Sequence, residues 1–258
     1  VVLRRVLQYA AIVAVILSCV YFFLKPIGSM DDLAIAYVDI TIPNERGVML
    51  TLADGEKVVG GNEKREVIFE KTGNVNIKQE GRNELVYENV KTSEKRNVEE
   101  EAMNEITVPA GERVSIILSD GTKVWLNSES AIRYPVRFGI GKRVVTVKGN
   151  VYFEVTKDVS RPFFVVMKDM ETEVLGTSFE VNTYGDHGEI YMALVEGCVR
   201  VRSGNHVVVA KPNEQVALDL ESRKISTKEV DAARLVAWKD GVLMIKNEPF
   251  VDVIRKLE

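Results

Sequence analysis

Residues that carry chemistry are scarce in this chain, with only two cysteines and two histidines among 258 residues. Cys19 and Cys198 are too far apart in sequence to draw a CxxC metal motif, and two such cysteines make no disulfide framework. His187 and His206 lack an acidic or cysteine neighbour at metal-ligand spacing, which argues against a zinc enzyme and a Cys/His protease. Basic charge is also short: 34 Lys and Arg face 38 Asp and Glu, a formal net charge of −4. Setting aside Arg4, Arg5 and Lys25, which flank an apolar run, leaves 31 against 38. A body that acidic argues against direct nucleic-acid binding, because such affinity rests on neutralising phosphates. With only seven prolines, 46% apolar and 28% charged residues, the chain is neither disordered nor fibrous. Its length suits one large or two small domains.

What the chain does have is one long apolar run. Residues 6–24, VLQYAAIVAVILSCVYFFL, carry no charge and a single amide, Gln8. As a helix they reach about 28 Å, close to the ~30 Å hydrocarbon core of a bilayer. Arg4 and Arg5 precede the run, Lys25 follows, and Pro26 ends the helix. That charge balance places the amino end in the cytoplasm. A cleavable signal peptide would be shorter, with a small-residue site close behind it, and Ala34-Ile35-Ala36 is too distant. A lipoprotein reading at Cys19 fails because the apolar run continues past it. A buried core helix would show a polar face. The run is therefore expected to span a membrane once. Because the chain starts at Val1 rather than Met, a fragment lacking a preceding cytoplasmic segment is expected.

From about residue 40 to 227 the pattern is short β-rich runs broken by turn residues. Ile190, Met192 and Leu194 alternate with other residues as a half-buried strand does. Further runs lie at Val144, Val145 and Val147, and over 163–167, 178–183, 198–202 and 206–210. Asp54-Gly55, Asp120-Gly121 and Ser203-Gly204-Asn205 are among the turn signals between them. The stretch LADGEKV at 52–58 returns as LSDGTKV at 118–124, an offset of 66 residues, so two related hairpins are expected. The charged stretch 94–101 reads as a solvated loop or linker, with a subdomain joint expected near Glu99 to Asn104. Residues 230–239 read as a short helix or linker, and 242–245 as a strand. Phe250, Val253, Ile254 and Leu257 then fall on one helical face behind Pro249. The last segment thus reads as the start of a small α/β domain.

No set of residues reaches the standard of a catalytic site. Gly139-Ile140-Gly141-Lys142-Arg143 has the look of a phosphate loop, but a strand pattern follows it where a helix is required. A hairpin turn is the better reading. Ser119-Asp120 and Ser178 have no histidine close in sequence. Glu154 and Glu196 are conceivable as an acid/base pair, although strand-edge solvation or pairing with Arg explains them as well. Cys198 reads as a small hydrophobe rather than a nucleophile.

One ordered set of residues is far more specific. It runs Val108-Pro109-Ala110-Gly111, then residues 118–127 (LSDGTKVWLN), Tyr134-Pro135, Phe138 and Arg143. Residues 149–155 (GNVYFEV), Arg161-Pro162-Phe163, residues 175–179 (LGTSF), Leu194-Val195-Glu196-Gly197 and Pro212-Asn213-Glu214-Gln215 complete it. This order closely resembles the FecR family of membrane-anchored anti-sigma regulators over residues 108–220. Asn150-Val151 stands where the family usually has Glu-Ala.

The resemblance implies a mainly β protein with no enzymatic activity, cofactor or metal. It implies a cytoplasmic remnant at 1–5, a transmembrane helix at 6–24, and an amino-terminal periplasmic β region at 25–103. A FecR-type all-β domain, sandwich- or roll-like with many short antiparallel strands, follows at 104–228. A linker and truncated βα signalling-type domain occupy 229–258. The implied partners are an extracytoplasmic-function sigma factor held by a cytoplasmic segment, the signalling domain of a TonB-dependent outer-membrane receptor, a membrane protease and the lipid bilayer. Leu243, Ile245, Phe250, Ile254 and Leu257 are expected to form the core of the receptor-docking domain. Two other classes compete: a membrane-tethered periplasmic ligand- or carbohydrate-binding β module, which clustered aromatics would favour, and an anchored hydrolase. Trp125 and Trp238 lie in unlike sequence contexts, and no catalytic constellation is visible.

Overall fold

The computed structural model describes residues 37–42, 47–59, 75–80, 84–89, 102–185 and 188–242. Short runs rich in β-branched and aromatic residues, cut by Gly, Asn and Asp, favour pleated strands joined by tight turns. Among the described residues two nine-stranded sheets result. From edge to edge, the first contains β16 (His206–Ala210), β15 (Val199–Ser203), β12 (Glu171–Val174), β11 (Phe163–Val166), β9 (Arg143–Lys148), β8 (Ser130–Pro135), β5 (Met103–Val108), β1 (Met49–Thr51) and β2 (Lys57–Val59). The second contains β18 (Ile225–Glu229), β17 (Glu214–Asp219), β14 (Glu189–Glu196), β13 (Ser178–Asn182), β10 (Asn150–Glu154), β7 (Lys123–Leu126), β6 (Val114–Ile117), β4 (Glu84–Asn89) and β3 (Val75–Glu80).

Strand order follows chain order in both sheets, apart from the β1–β2 hairpin at one end. The chain lays one or two strands in one sheet, crosses, and lays the next in the other. This weaving accounts for a departure from the all-antiparallel expectation. β9 pairs with β11 in parallel, as β4 does with β6. In each case the intervening strand, β10 or β5, belongs to the opposite sheet, so the chain returns in the direction it left. β1 pairs with β5 and β4 with β6, so strands before residue 103 continue both sheets.

A single core lies between the sheets, filled by alternate residues of each strand. Val145, Val147, Phe163 and Val165 enter from the first sheet; Val151, Phe153, Phe179, Val181 and Met192 enter from the second. Phe153 stacks on Phe179 at 5.3 Å and meets Phe163 edge-on across the gap at 6.1 Å. Such aromatic pairs contribute about 0.5–1.5 kcal/mol each beyond their buried area.

The two related hairpins are present and share one geometry. In the first, between β1 and β2, Gly55 N–H donates to Leu52 C=O (2.9 Å) and Asp54 Oδ1 accepts from Glu56 N–H (3.0 Å). In the second, between β6 and β7, Gly121 N–H donates to Leu118 C=O (2.9 Å) and Asp120 Oδ1 accepts from Thr122 N–H (3.0 Å). They sit on different sheets, so the sequence echo is a repeated turn in unlike surroundings.

Gly149, between β9 and β10, shows why the GNVYFEV stretch begins with glycine. Its φ is +88°, and a Cβ there would lie 2.6 Å from Ser130 Cα and 2.7 Å from Glu129 O. Only a hydrogen fits.

Outside the sandwich, residues 37–42 lie over the outward face of the first sheet. Lys148 Nζ donates to Ile40 C=O (3.0 Å), and Ile40 is buried. Among the described residues no helix is long and apolar enough to cross a membrane; the expected span at 6–24 lies outside them.

Candidate functional site

Glu154, Ser178 and Glu196 meet on the outward face of the second sheet. Glu154 is paired with Ser178 across β10 and β13, and Ser178 with Glu196 across β13 and β14. With Lys123, Tyr152 and Thr156 they line an open cleft of about 460 Å³. The Tyr152 hydroxyl lies close to Ser178 and Glu154, and burial and the Glu154 charge push its pKa up to about 12. Sequence spacing cannot reveal this grouping, because it depends on the register of three strands. The cleft offers hydrogen-bond acceptors on an open surface. Its serine has carboxylates beside it, while His206 is exposed on edge strand β16 of the other sheet and His187 lies outside the described residues.

A tighter polar cluster lies next to the cleft and is built almost wholly from the ordered motifs. Arg143, at the start of β9, is fully buried. Its Nη1 donates to Asp120 Oδ2 (2.6 Å) and Thr156 C=O (2.9 Å), and its Nε to Arg161 C=O (2.9 Å). Thr122 Oγ1 bonds Asp120 Oδ2 (2.7 Å) and accepts from Thr156 N–H (3.2 Å). The guanidinium lies over the Phe163 ring, 5.2 Å from its centroid. This one ion pair ties the second hairpin to the β10–β11 connection and to β9. The apparent phosphate loop is therefore a turn: Ile140 is 93% exposed at its tip, while Arg143 points inward. Cys198 is buried against Leu175, as expected of a small hydrophobe.

The chain leaves the sandwich over the cleft side. After β18, Asp231 caps a four-residue helix α1 (Ala232–Leu235), accepting from Arg234 N–H, and a 3₁₀ turn (Ala237–Asp240) follows. Ala232, Val236 and Ala237 are buried. Trp238 Nε1 donates to Glu180 Oε1 (2.7 Å), and Arg113 Nη1 donates to Trp238 C=O (3.1 Å). Lys239 Nζ stands 5.6 Å from the Trp125 ring centroid and 5.5 Å from that of Tyr152. Trp125, Tyr152 and Glu180 form one outward row, since Trp125 pairs with Tyr152 and Tyr152 with Glu180. The two tryptophans, unlike in sequence context, thus share one face. No spacing signal identifies this contact, because Glu180 and Trp238 are far apart along the chain. Leu243, Ile245, Phe250, Ile254 and Leu257, expected to form a docking core, lie outside the described residues, immediately beyond this contact.

Comparison with known proteins agrees with the motif geometry. Residues 104–200 match the family model described as FecR protein. Two crystal structures, at 1.65 Å and 2.50 Å, of a candidate anti-sigma factor from Parabacteroides distasonis ATCC 8503 resemble the chain at 34% identity and a TM-score of 0.56. The likeness covers 60% of this chain and 73% of that one. The chain belongs to the FecR family. No curated protein matches. FecR proteins are regulators rather than enzymes. The residues that mark this chain as FecR are therefore a framework: the family match spans the Asp120–Arg143 cluster and the Gly149 turn.

Proposed function

We propose that this FecR protein is an inner-membrane anti-sigma regulator that relays a signal from an outer-membrane TonB-dependent receptor to an extracytoplasmic-function sigma factor. The supporting observation is the FecR match over 104–200 together with the likeness to the Parabacteroides anti-sigma factor. In this reading the run at 6–24 is the anchor, and the sigma factor is held by a cytoplasmic segment on its amino-terminal side. The β sandwich is periplasmic, and the segment built on Leu243, Ile245, Phe250, Ile254 and Leu257 docks the receptor's signalling domain. A membrane protease releases the sigma factor. A packed β body suits such a relay, because it holds two chain exits in a fixed relation without any cofactor.

The test uses the complete reading frame in its native host. A sigma factor should co-purify with the protein, and a reporter fused after Glu258 should be active only when periplasmic. Phe250→Asp with Ile254→Asp should abolish receptor capture while the sandwich retains its fold, read by circular dichroism. Absence of any co-purifying sigma factor, or a cytosolic reporter at Glu258, overturns the reading.

A further inference from the structure

The outward face of the second sheet is occupied by the chain's own segment 231–240, and that contact is built unlike the rest of the molecule. None of its residues belongs to the core cluster between the sheets. Its buried side chains are small, Ala232, Val236 and Ala237. Its contacts include the Trp238 indole on Glu180, the Arg113 guanidinium on the Trp238 carbonyl, and the Lys239 ammonium over Trp125 and Tyr152. A four-residue helix has no stability of its own, so this segment is ordered only while it is docked. Its removal leaves the aromatic cluster of Phe153, Phe163 and Phe179 untouched, because those rings lie on the other side of the sheet. The segment is also the last described stretch before the residues assigned above to receptor docking.

We propose that residues 231–240 form a releasable clasp: docked, it fixes on the second sheet the point from which the chain continues past Val242; a partner engaging that continuation draws the clasp off without unfolding the sandwich. The clasp deepens the relay reading and rests on it for the source of the pull. Its two states differ in what the sheet presents. Closed, Tyr152 and Glu180 are buried and Trp125 is half-buried. Open, two aromatic rings and a carboxylate face solvent in one row, and the downstream segment gains reach. A local element with few buried apolar contacts opens at far lower free energy than the core beneath it.

The test is amide hydrogen exchange on the full chain, comparing the unaltered protein with Trp238→Phe, which keeps a ring and removes the indole N–H. Amides of 232–241 should exchange as one group, well ahead of those in β10 and β13. Trp238→Phe should speed that group about tenfold or more, the scale of one charge-assisted hydrogen bond, and leave β10 and β13 unchanged. Trypsin provides a second readout: Trp238→Ala should accelerate cutting after Arg234 and Lys239 and leave a resistant body. Exchange of 232–241 only together with β10 and β13, or equal loss of protection in all three, overturns the proposal. So does unaltered cutting at Arg234 and Lys239. Both readouts are taken without receptor or sigma factor, so a negative result counts against the clasp alone, whereas co-purification judges the relay.

Discussion

At the scale of single residues, the Arg143–Asp120 pair is where chemistry and fold meet. Both side chains are almost wholly withdrawn from water, at 0% and 3% exposure. Taking away one member leaves the other charge buried without its counter-ion, which costs about 3–5 kcal/mol. Arg143→Met should therefore lower the unfolding midpoint in urea strongly. Adding Asp120→Asn to it should recover part of the loss, a coupling that a double-mutant cycle reads directly. Gly149→Ala should be comparably damaging, at about 3 kcal/mol, because strain at positive φ adds to a clash with the Ser130 backbone. The sequence made both residues visible as members of an ordered motif. It could not say that they are structural, since burial and the inward turn of Arg143 depend on the crossing of two sheets.

At the level of elements, three aspartate turns differ in what they hold. The Asp54 and Asp120 hairpins have the same local hydrogen bonds, yet Asp54 is exposed and Asp120 holds Arg143. Asp54→Ala should cost about 1 kcal/mol, the worth of one turn hydrogen bond, and Asp120→Ala several times that, by equilibrium denaturation of each variant. The third turn lies between β10 and β11. Asp158 there accepts hydrogen bonds from Ser160 Oγ (2.6 Å) and Arg161 Nε (2.8 Å). These bonds, with those from the two backbone N–H groups, hold its carboxyl below the ordinary value of 3.8. A depressed carboxylate pKa adds stability that is fully present above the unfolded value and fades as pH falls through the folded one. Asp158→Asn should therefore destabilise the protein at neutral pH. The gap to the unaltered chain should narrow below about pH 4, as both are followed by thermal melts. Strand positions were legible from runs such as Phe163–Val166 and His206–Ala210, because β-branched and aromatic residues between turn signals leave little choice. The parallel pairing of β9 with β11 was not, because it reflects where β10 goes rather than any property of the paired strands.

For the whole molecule, one core shared by both sheets predicts one cooperative unit. Amides of β10, β11 and β13, whose Phe153, Phe163 and Phe179 rings touch, should share a single largest opening free energy in native-state hydrogen exchange. Separate plateaus for the two sheets would contradict this. The outward cleft of Glu154, Ser178 and Glu196 and the row of Trp125, Tyr152 and Glu180 belong to the same scale. Each is assembled by register across three adjacent strands, which is why linear spacing hid them while the family motif stood out.

Residues 37–42 rest on one broad side of the sandwich and residues 231–240 on the opposite one. A short peptide joining position 242 back to position 37 would have to go round an edge strand and span the full thickness. Permuted versions of the chain with brief spacers should then satisfy their pairing only by trading halves between molecules, emerging as intertwined dimers, whereas generous spacers should return monomers.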